Sequence, residues 1–289
     1  MKAAPFAYVR PTTVEDAVTA LAETGGDGKV LAGGQSLVPV LAMRLGRPGT
    51  LVDVNAVAGL DGLATTGDGL RVGATVRQRR LEHEPAARAV PLLGMALPFV
   101  GHRELRSRGT VCGSLAHADP AAELPAVACC LDATLDVTGP RGRRTVPARE
   151  FFAGAMTTVL QPDELLTAVT FPVARAGEGF GFAEVARRHG DFALAGVVAR
   201  VRVADGDVAE AVLVGFGVSD RPVTRDVTDV LRAHGTQAGA LRDPMTDLAA
   251  EVVDTAGDAH GSTAYRRRLF AALAARELAA AYRKGSEAR

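Results

Sequence analysis

Two glycine-containing segments, about eighty residues apart, constrain the fold of this 289-residue chain most strongly. Residues 31–36 read LAGGQS and residues 109–120 read GTVCGSLAHADP. Glycine tolerates positive φ and lets another group approach the backbone closely, and the amides at a helix start attract anions. A strand that runs into Gly33 and Gly34 and is followed by a helix from Leu37 predicts an α/β chain. Two such segments facing one another predict a site for a large, phosphate-bearing ligand.

The first segment also has a simpler interpretation. It is neither a Walker A loop nor a G-x-G-x-x-G motif, and an ordinary strand–helix turn has the same composition. Ser36 precedes a predicted helix over residues 37–45, so its hydroxyl either caps that helix or donates to a ligand. From the residues alone, both alternatives remain open.

The second segment places hydroxyl groups beside glycine and then opens a helix. Asp119 and Pro120 are typical of an N-cap and a first helical position, which predicts a helix over residues 120–131 with Glu123 one turn along. Carboxylates at this place bind ribose hydroxyls or simply complement the helix dipole. His117 has no histidine or cysteine at metal-ligand spacing, so we interpret it as a cofactor contact rather than a zinc ligand.

The three cysteines favour neither a disulfide scaffold nor an iron–sulfur cluster. Their number is odd, Cys129 and Cys130 are adjacent, and a cluster needs four thiolates. We interpret Cys112 as a small buried residue and the adjacent pair as core residues of the predicted helix.

Charge and hydropathy exclude several classes of protein. The formal net charge is +0, so no general affinity for nucleic acid is implied. No stretch approaches the roughly 18 consecutive apolar residues of a membrane-spanning helix. The first residues lack the apolar region of a signal peptide. We therefore expect a cytoplasmic protein without a membrane span.

A small, polar and glycine-rich stretch at residues 174–179 predicts a domain boundary. We expect a first domain over residues 1–176, with α/β subdomains at about 1–55 and 56–176. The second domain is expected over residues 177–289.

In the second domain, three apolar runs at 180–186, 195–203 and 208–216 predict one antiparallel sheet. Helices are predicted at about 247–256 and 262–283. The basic residues near the start of the last helix face either an acidic partner or solvent, and they are Arg266, Arg267 and Arg268.

Five motifs together resemble one family over nearly the whole chain. They are AGGQS at 32–36, RSRGTVCGSLAHADPAAE at 106–123, TTVLQPDE at 157–164, RRHGDFA at 187–193 and YRR at 265–267. This combination is similar to the flavin-binding medium subunit of the molybdenum hydroxylases, the carbon monoxide dehydrogenase and xanthine dehydrogenase family. The resemblance implies an α+β fold. It consists of a vanillyl-alcohol-oxidase-type FAD-binding domain of two α/β subdomains and a C-terminal domain with a three-stranded antiparallel sheet and helices.

The resemblance also implies FAD as cofactor and assigns its contacts. Residues 32–36 and 110–114 would hold the diphosphate, and Asp119 and Glu123 the ribityl or adenosine part. Val100 and Leu160 would line the ring system, with Phe192 near the isoalloxazine. In chain order, the predicted cofactor contacts are Leu31, Ala32, Gly33, Gly34, Gln35, Ser36, Leu37, Val100, Thr110, Val111, Cys112, Gly113, Ser114, His117, Ala118, Asp119, Glu123, Leu160 and Phe192. No catalytic residue and no metal ligand is expected.

One position departs from the family pattern. The family usually has two glycines in the second segment, and Cys112 occupies the place of the first. If that position requires positive φ, a cysteine costs on the order of 1 kcal/mol. If the glycine is there for close approach, the sulfur crowds the flavin or its phosphates.

The implied function is electron transfer within a larger enzyme. A molybdopterin-binding large subunit would oxidise the substrate, and a small subunit with two [2Fe-2S] clusters would pass electrons to FAD on this chain. An external acceptor (quinone, NAD or oxygen) would then take them, in a heterohexamer with two copies of each subunit. Two alternatives stay open: a stand-alone FAD-dependent oxidoreductase acting on a small organic substrate, and a scaffold that has lost FAD through changes such as Cys112.

Overall fold

A computed structural model describes residues 2–288 of the chain. The N-terminal unit is a parallel sheet with strand order β1-β3-β2. Its elements are β1 (Ala7–Val9), α1 (Val14–Glu23), β2 (Gly28–Leu31), α2 (Leu37–Ala42) and β3 (Thr50–Asp53). Thr13 is the N-cap of α1, a position that threonine favours. Its hydroxyl oxygen accepts a hydrogen bond from the Asp16 N–H at 3.0 Å.

A second unit is built on an antiparallel sheet of order β4-β5-β10-β6-β7. Its strands are β4 (Leu63–Thr66), β5 (Gly69–Gly73), β6 (Thr134–Gly139), β7 (Gly142–Pro147) and β10 (Leu165–Phe171), with a separate hairpin of β8 (Phe152–Gly154) and β9 (Thr157–Thr158). Its helices are α3 (Gln78–His83), α4 (Pro91–Ala96), α5 (Arg103–Arg108), α6 (Val111–His117), α7 (Glu123–Cys130) and α8 (Ala148–Phe151).

The C-terminal sheet has the order β11-β12-β13-β14 and is antiparallel throughout. Its elements are β11 (Glu178–Val185), β12 (Ala195–Ala204), β13 (Asp207–Phe216), β14 (Val223–Asp226), α9 (Thr228–His234), α10 (Arg242–Val252) and α11 (Thr263–Glu287). The α+β fold class is confirmed, although this sheet carries one strand more than predicted. The missed strand reads VTRD, which lacks the apolar alternation that identified the other three.

Several predicted helix bounds were wrong. The helix expected over 37–45 ends at Ala42. Residues 85–99 form the short helix α4 between two 3-10 turns rather than one long helix, because Pro91 and Pro98 lie within this stretch. In the second domain α10 begins five residues before its predicted start at 247 and ends at Val252, α11 runs to Glu287, and α9 was not predicted.

One apolar core cluster contains residues from both halves of the chain, and a second lies within the C-terminal half. Helix α7 packs against β12 and β13, and the Phe99 and Phe182 rings meet with centroids 5.1 Å apart. Polar contacts cross the same junction, since the Gly217 N–H donates to the Pro120 carbonyl at 2.8 Å. The C-terminal domain therefore holds the segment around Asp119 in place through this hydrogen bond.

Arg266 on α11 lies neither at the surface facing solvent nor towards an acidic partner, the two predicted alternatives. It is buried, and its guanidinium donates to the carbonyl oxygens of Leu194 and Gly217 at 2.6 and 2.9 Å. It also pairs with Asp258 at 2.6 Å. This arginine fastens α11 to the sheet, so it faces neither solvent nor a partner.

Candidate functional site

The loop between β2 and α2 presents a row of free donors. Among the described residues, the backbone N–H groups of Gly33, Gly34, Gln35 and Ser36 have no hydrogen-bond acceptor. The Gly34 carbonyl accepts the Val38 N–H at 2.9 Å, and Gly34 has a φ of +74°. Successive amides that point away from their own carbonyls form a concave site for an anion.

The same loop lies directly against the second glycine-containing segment. A Cβ added to Gly33 would come within 2.5 Å of the Arg108 carbonyl oxygen and 2.8 Å of the Gly109 Cα. Residue 33 must therefore be glycine for the two backbones to meet at this distance. The structure brings the two segments together as the sequence predicted.

The second segment is a helix start rather than a turn. Thr110 is the N-cap of α6, and its hydroxyl oxygen accepts the Gly113 N–H at 3.0 Å. The Val111 N–H donates to the Val76 carbonyl at 3.2 Å, and Ser114 N–H donates to Thr110 O at 3.2 Å. Because these donors are already satisfied, this segment offers an anion fewer free amides than the first loop does.

Cys112 causes neither of the difficulties that its sequence position suggested. It lies inside α6, is absent from the residues with positive φ, and is 2% exposed. Its thiol points into the core towards the Val72 carbonyl, with the sulfur 3.7 Å from the oxygen. Burial raises the pKa of this thiol to about 12. The sulfur is therefore a packing atom of the core.

The structure contains neither the Ser36 cap that the sequence left open nor the Asp119 cap that it predicted. Ser36 makes no side-chain capping bond to α2, so its exposed hydroxyl stays available to a ligand. Asp119 does not begin α7, because its carboxylate accepts the Ala121 N–H at 2.9 Å in a local turn and the helix starts at Glu123. Ala118 closes α6 with a φ of +52°, which turns the chain sharply into that local turn.

Glu123 is buried at the first position of α7. Burial raises the pKa of its carboxyl to about 7, and the nearby Asp119 charge adds to the rise. The Glu123 carboxyl is thus neutral in a large share of molecules near pH 7. A neutral carboxyl is able to donate a hydrogen bond to a hydroxyl as well as accept one.

The predicted ring contacts come from three separate loops. The backbone of Gly190 lies against Gly101 and the His102 ring, which brings the loop that carries Phe192 next to the one that carries Val100. The Met156 N–H donates to Ala118 O at 3.0 Å and ties the segment before Leu160 to the end of α6. Phe192 is 68% exposed and is one of several exposed large apolar side chains in the chain.

The remaining predicted contacts are partly or fully buried. Leu31, Ala32 and Leu37 flank the first loop and are half-buried, and His117 is half-buried on the last turn of α6. Val111 is fully buried and its N–H is already bonded to the Val76 carbonyl, so the predicted contact of this residue is not supported by the structure. Among residues 2–288, no three His, Cys, Asp or Glu side chains cluster closely enough to hold a metal ion.

Two residues beside the site, Asn55 and Arg77, were not predicted from the sequence. Asn55 follows β3, which runs parallel to β2, so the carboxyl ends of both strands lie at one sheet edge. The polar residues that directly follow this buried strand could have identified Asn55 from the sequence. Arg77 carries no comparable signal, because it reaches the site from the connection before α3.

The fold and the free amides at 33–36 suit a protein that binds an anionic, phosphate-bearing ligand. A family model described as the FAD binding domain in molybdopterin dehydrogenase matches residues 4–174. A second, described as the CO dehydrogenase flavoprotein C-terminal domain, matches residues 180–281. The chain therefore belongs to the FAD-binding medium-subunit family of the molybdopterin dehydrogenases.

Individual relatives are similar over almost their full length. The chain is 37% identical to the nicotine 6-hydroxylase medium subunit of Paenarthrobacter nicotinovorans, over 96% of this chain and 98% of that one. It is 36% identical to the caffeine dehydrogenase subunit beta of Pseudomonas sp. (strain CBB1), over 97% and 96%. A solved carbon monoxide dehydrogenase from Hydrogenophaga pseudoflava, which lacks the Mo-pyranopterin moiety, matches with a TM-score of 0.92 at 30% identity. That match covers 98% of this chain and 99% of the other.

FAD is the cofactor of this family, and the residues present fit it. The free amides at 33–36 suit a diphosphate, and the Cys112 sulfur leaves the approach to them clear.

None of the helices within residues 2–288 combines the length and the apolar character that crossing a bilayer requires.

Proposed function

We propose that this chain is the electron-transfer subunit of a molybdopterin-dependent hydroxylase or dehydrogenase. It would receive electrons from the iron–sulfur clusters of a partner subunit and pass them to an external acceptor. When bound, FAD supplies the redox chemistry. The contribution of the protein is to hold, orient and shield that cofactor.

The cysteines of this chain support the proposal that the iron–sulfur clusters lie on a partner subunit. All three are buried, and burial raises the pKa of each thiol to about 12. An iron–sulfur cluster needs four thiolates, and this chain has three cysteines. The clusters of the proposed electron path therefore belong to another chain.

The single observation that carries the proposal is the row of free amides at residues 33–36. We propose that these groups bind the FAD diphosphate, with the exposed hydroxyl of Ser36 as a further donor. The start of α6, at residues 110–114, contributes its backbone from the opposite side. Gly33 makes this arrangement possible because it allows the two segments to touch.

The other contacts follow the same geometry. Asp119 and Glu123 would bind the hydroxyls of the ribityl or adenosine part, with the buried Glu123 carboxyl as donor or acceptor. Val100, Leu160 and Phe192 would line the isoalloxazine from their three loops. The exposed Phe192 ring gains apolar burial when a flavin or a partner covers it.

We place the FAD-binding domain at residues 1–176, in subdomains of about 1–55 and 56–176, and the medium-subunit domain at 177–289. In the assembled enzyme we propose two copies each of this chain, a molybdopterin-binding large subunit and a small subunit with two [2Fe-2S] clusters. The mass of the complex in solution tests this composition.

Stopped-flow spectroscopy tests the proposed function. The chain, loaded with FAD, is mixed with the chemically reduced iron–sulfur subunit, and the flavin absorbance is followed. We expect rapid bleaching with the partner present, and reoxidation by one of quinone, NAD or oxygen identifies the acceptor. Bleaching of the isolated chain by a small organic substrate would instead indicate a stand-alone oxidoreductase.

A further inference from the structure

We propose that Asn55 and Arg77 are positioning residues that align the loop at 33–36 with the segment at 108–110, and thereby set the affinity for the diphosphate of the cofactor. The inference rests on the proposed function, because the diphosphate site is the one proposed above. Neither residue needs to touch the ligand for this role.

Asn55 fixes the first loop through a backbone carbonyl. Its side-chain N–H donates to Ala32 O at 2.8 Å and to the Asp53 carboxylate at 2.5 Å. The Asn55 backbone N–H also donates to Asp53, at 2.9 Å. Asp53 is buried, and it additionally accepts a hydrogen bond from the Tyr8 hydroxyl. The Asn55 amide is therefore held in one orientation.

The bond to Ala32 determines where the first free amide points. The peptide unit between Ala32 and Gly33 is planar and trans, so its carbonyl and its N–H point in opposite directions. Because Asn55 holds the Ala32 carbonyl on one side, the Gly33 N–H is directed to the other. The side chain thus acts on the anion site without lying in it.

Arg77 extends this connection to the second segment. One of its guanidinium nitrogens donates to the Asn55 side-chain oxygen at 2.7 Å, and the other donates to the Arg108 carbonyl. This carbonyl is the group that Gly33 lies against. The Gln78 N–H donates to Gly109 O at 2.9 Å, which anchors the backbone beside Arg77 to the same segment.

A continuous chain of hydrogen bonds therefore runs from Ala32 through Asn55 and Arg77 to Arg108. The fork of the guanidinium is essential to it, because one side chain must reach two acceptors at once. A lysine at position 77 keeps the positive charge near the site but provides one donor nitrogen in place of the fork. The variant Arg77→Lys therefore distinguishes a positioning role, which needs two donor nitrogens, from attraction of the ligand by positive charge alone.

The test uses the full-length chain with Asn55→Ala, Arg77→Lys and a control, Arg141→Lys. Arg141 lies on the exposed β6–β7 turn and pairs with Asp163 in the wild type. Affinities for FAD and for riboflavin, which lacks the diphosphate, are measured by flavin fluorescence titration. Far-UV circular dichroism and thermal melting show whether each variant is folded. The visible spectrum of bound FAD at saturation reports on the surroundings of the ring.

We expect both site variants to lose FAD affinity by about tenfold, the equivalent of roughly one strong hydrogen bond. Riboflavin affinity and the band positions of bound FAD stay at their wild-type values, and Arg141→Lys matches wild type throughout. Wild-type FAD affinity in Arg77→Lys would overturn the positioning role, since charge alone would then suffice. A parallel loss of FAD and riboflavin affinity would overturn it as well, because it would indicate general damage. Failure of the wild-type chain to bind FAD would instead contradict the proposed function itself.

Discussion

Glu184 on β11 and Glu123 on α7 are coupled across the domain junction, because ionisation of Glu123 raises the pKa of the Glu184 carboxyl. Burial is the larger cause, and the Glu123 charge the second, of a rise in the pKa of Glu184 to about 8. One oxygen of Glu184 is buried and has no hydrogen-bond partner among the described residues. The junction therefore favours the protonated form of this side chain.

This pair makes the stability of the fold depend on pH. A buried carboxyl with a raised pKa is neutral in the folded chain but ionises in the unfolded chain near its ordinary value of 4.5. At this group the folded state binds more protons, so the contribution of Glu184 to stability falls as pH rises from about 4.5 to about 8. We expect Glu184→Gln to raise Tm by a few degrees at high pH and by little near pH 4.5.

The matched control for this prediction is Glu23→Gln at the exposed end of α1. Calorimetric melting of wild type and both variants across this pH range measures the effect. A gain for Glu184→Gln that is constant with pH, or that grows towards low pH, would contradict the assignment.

Gly33→Ala tests the contact between the two glycine-containing segments. The added methyl group meets the backbone at Arg108 and Gly109, which cannot rotate away, so we expect a destabilisation of about 1–3 kcal/mol. FAD affinity should fall as well, because the free amides shift. Gly67→Ala is the control: no atom lies within 4 Å of its new methyl group, and we expect a change of at most about 0.5 kcal/mol. Equal behaviour of the two variants would show that the segments do not touch.

Cys112→Gly restores the residue that the family pattern usually has. In this chain the change removes a buried side chain and places glycine inside α6, so we expect a loss of about 1–2 kcal/mol in stability. FAD affinity should stay unchanged, because the sulfur points towards Val72 in the core. Urea unfolding and FAD titration of the variant measure both effects. A clear gain in FAD affinity would mean that the thiol does crowd the cofactor.

Arg200 joins the domains through a buried guanidinium. It lies on β12, and one nitrogen pairs with Asp132 at 3.0 Å and with Glu210 at 2.6 Å. Arg200→Met leaves both carboxylates without this partner, and we expect a loss on the order of 2 kcal/mol. Arg141→Met, at an exposed pair, should cost less than about 0.5 kcal/mol. Urea unfolding measures both, and similar values would argue against a special role for the buried pair.

The parts of the fold that were predictable have strong local signals. Thr13 at the start of α1 and the glycine pair at 33–34 specify their conformations through neighbouring residues. The prediction that Asp119 is a helix N-cap was wrong. An aspartate before proline also occurs in local turns, and only tertiary packing decides between the two. Cys112 appeared to occupy a strained turn until the structure placed it in a helix.

The contacts that cross the molecule had no sequence signal of comparable strength. Arg266 reads as one of three basic residues on a helix, yet it is buried against two carbonyl oxygens. Asn55 and Arg77 are 22 residues apart, and their bond depends on how two sheets pack. The motifs found the cofactor class, while the residues that align its site became visible only in three dimensions.

The most direct test of the account is a titration of the purified full-length chain with FAD, followed by its visible spectrum. We predict that one FAD binds per chain and that the bound cofactor shows the bands of an oxidised flavoprotein. Omitting both partner subunits should not abolish binding, because every proposed contact comes from this chain. A folded chain that stays colourless with excess FAD, alone and with its partners, would contradict the central claim.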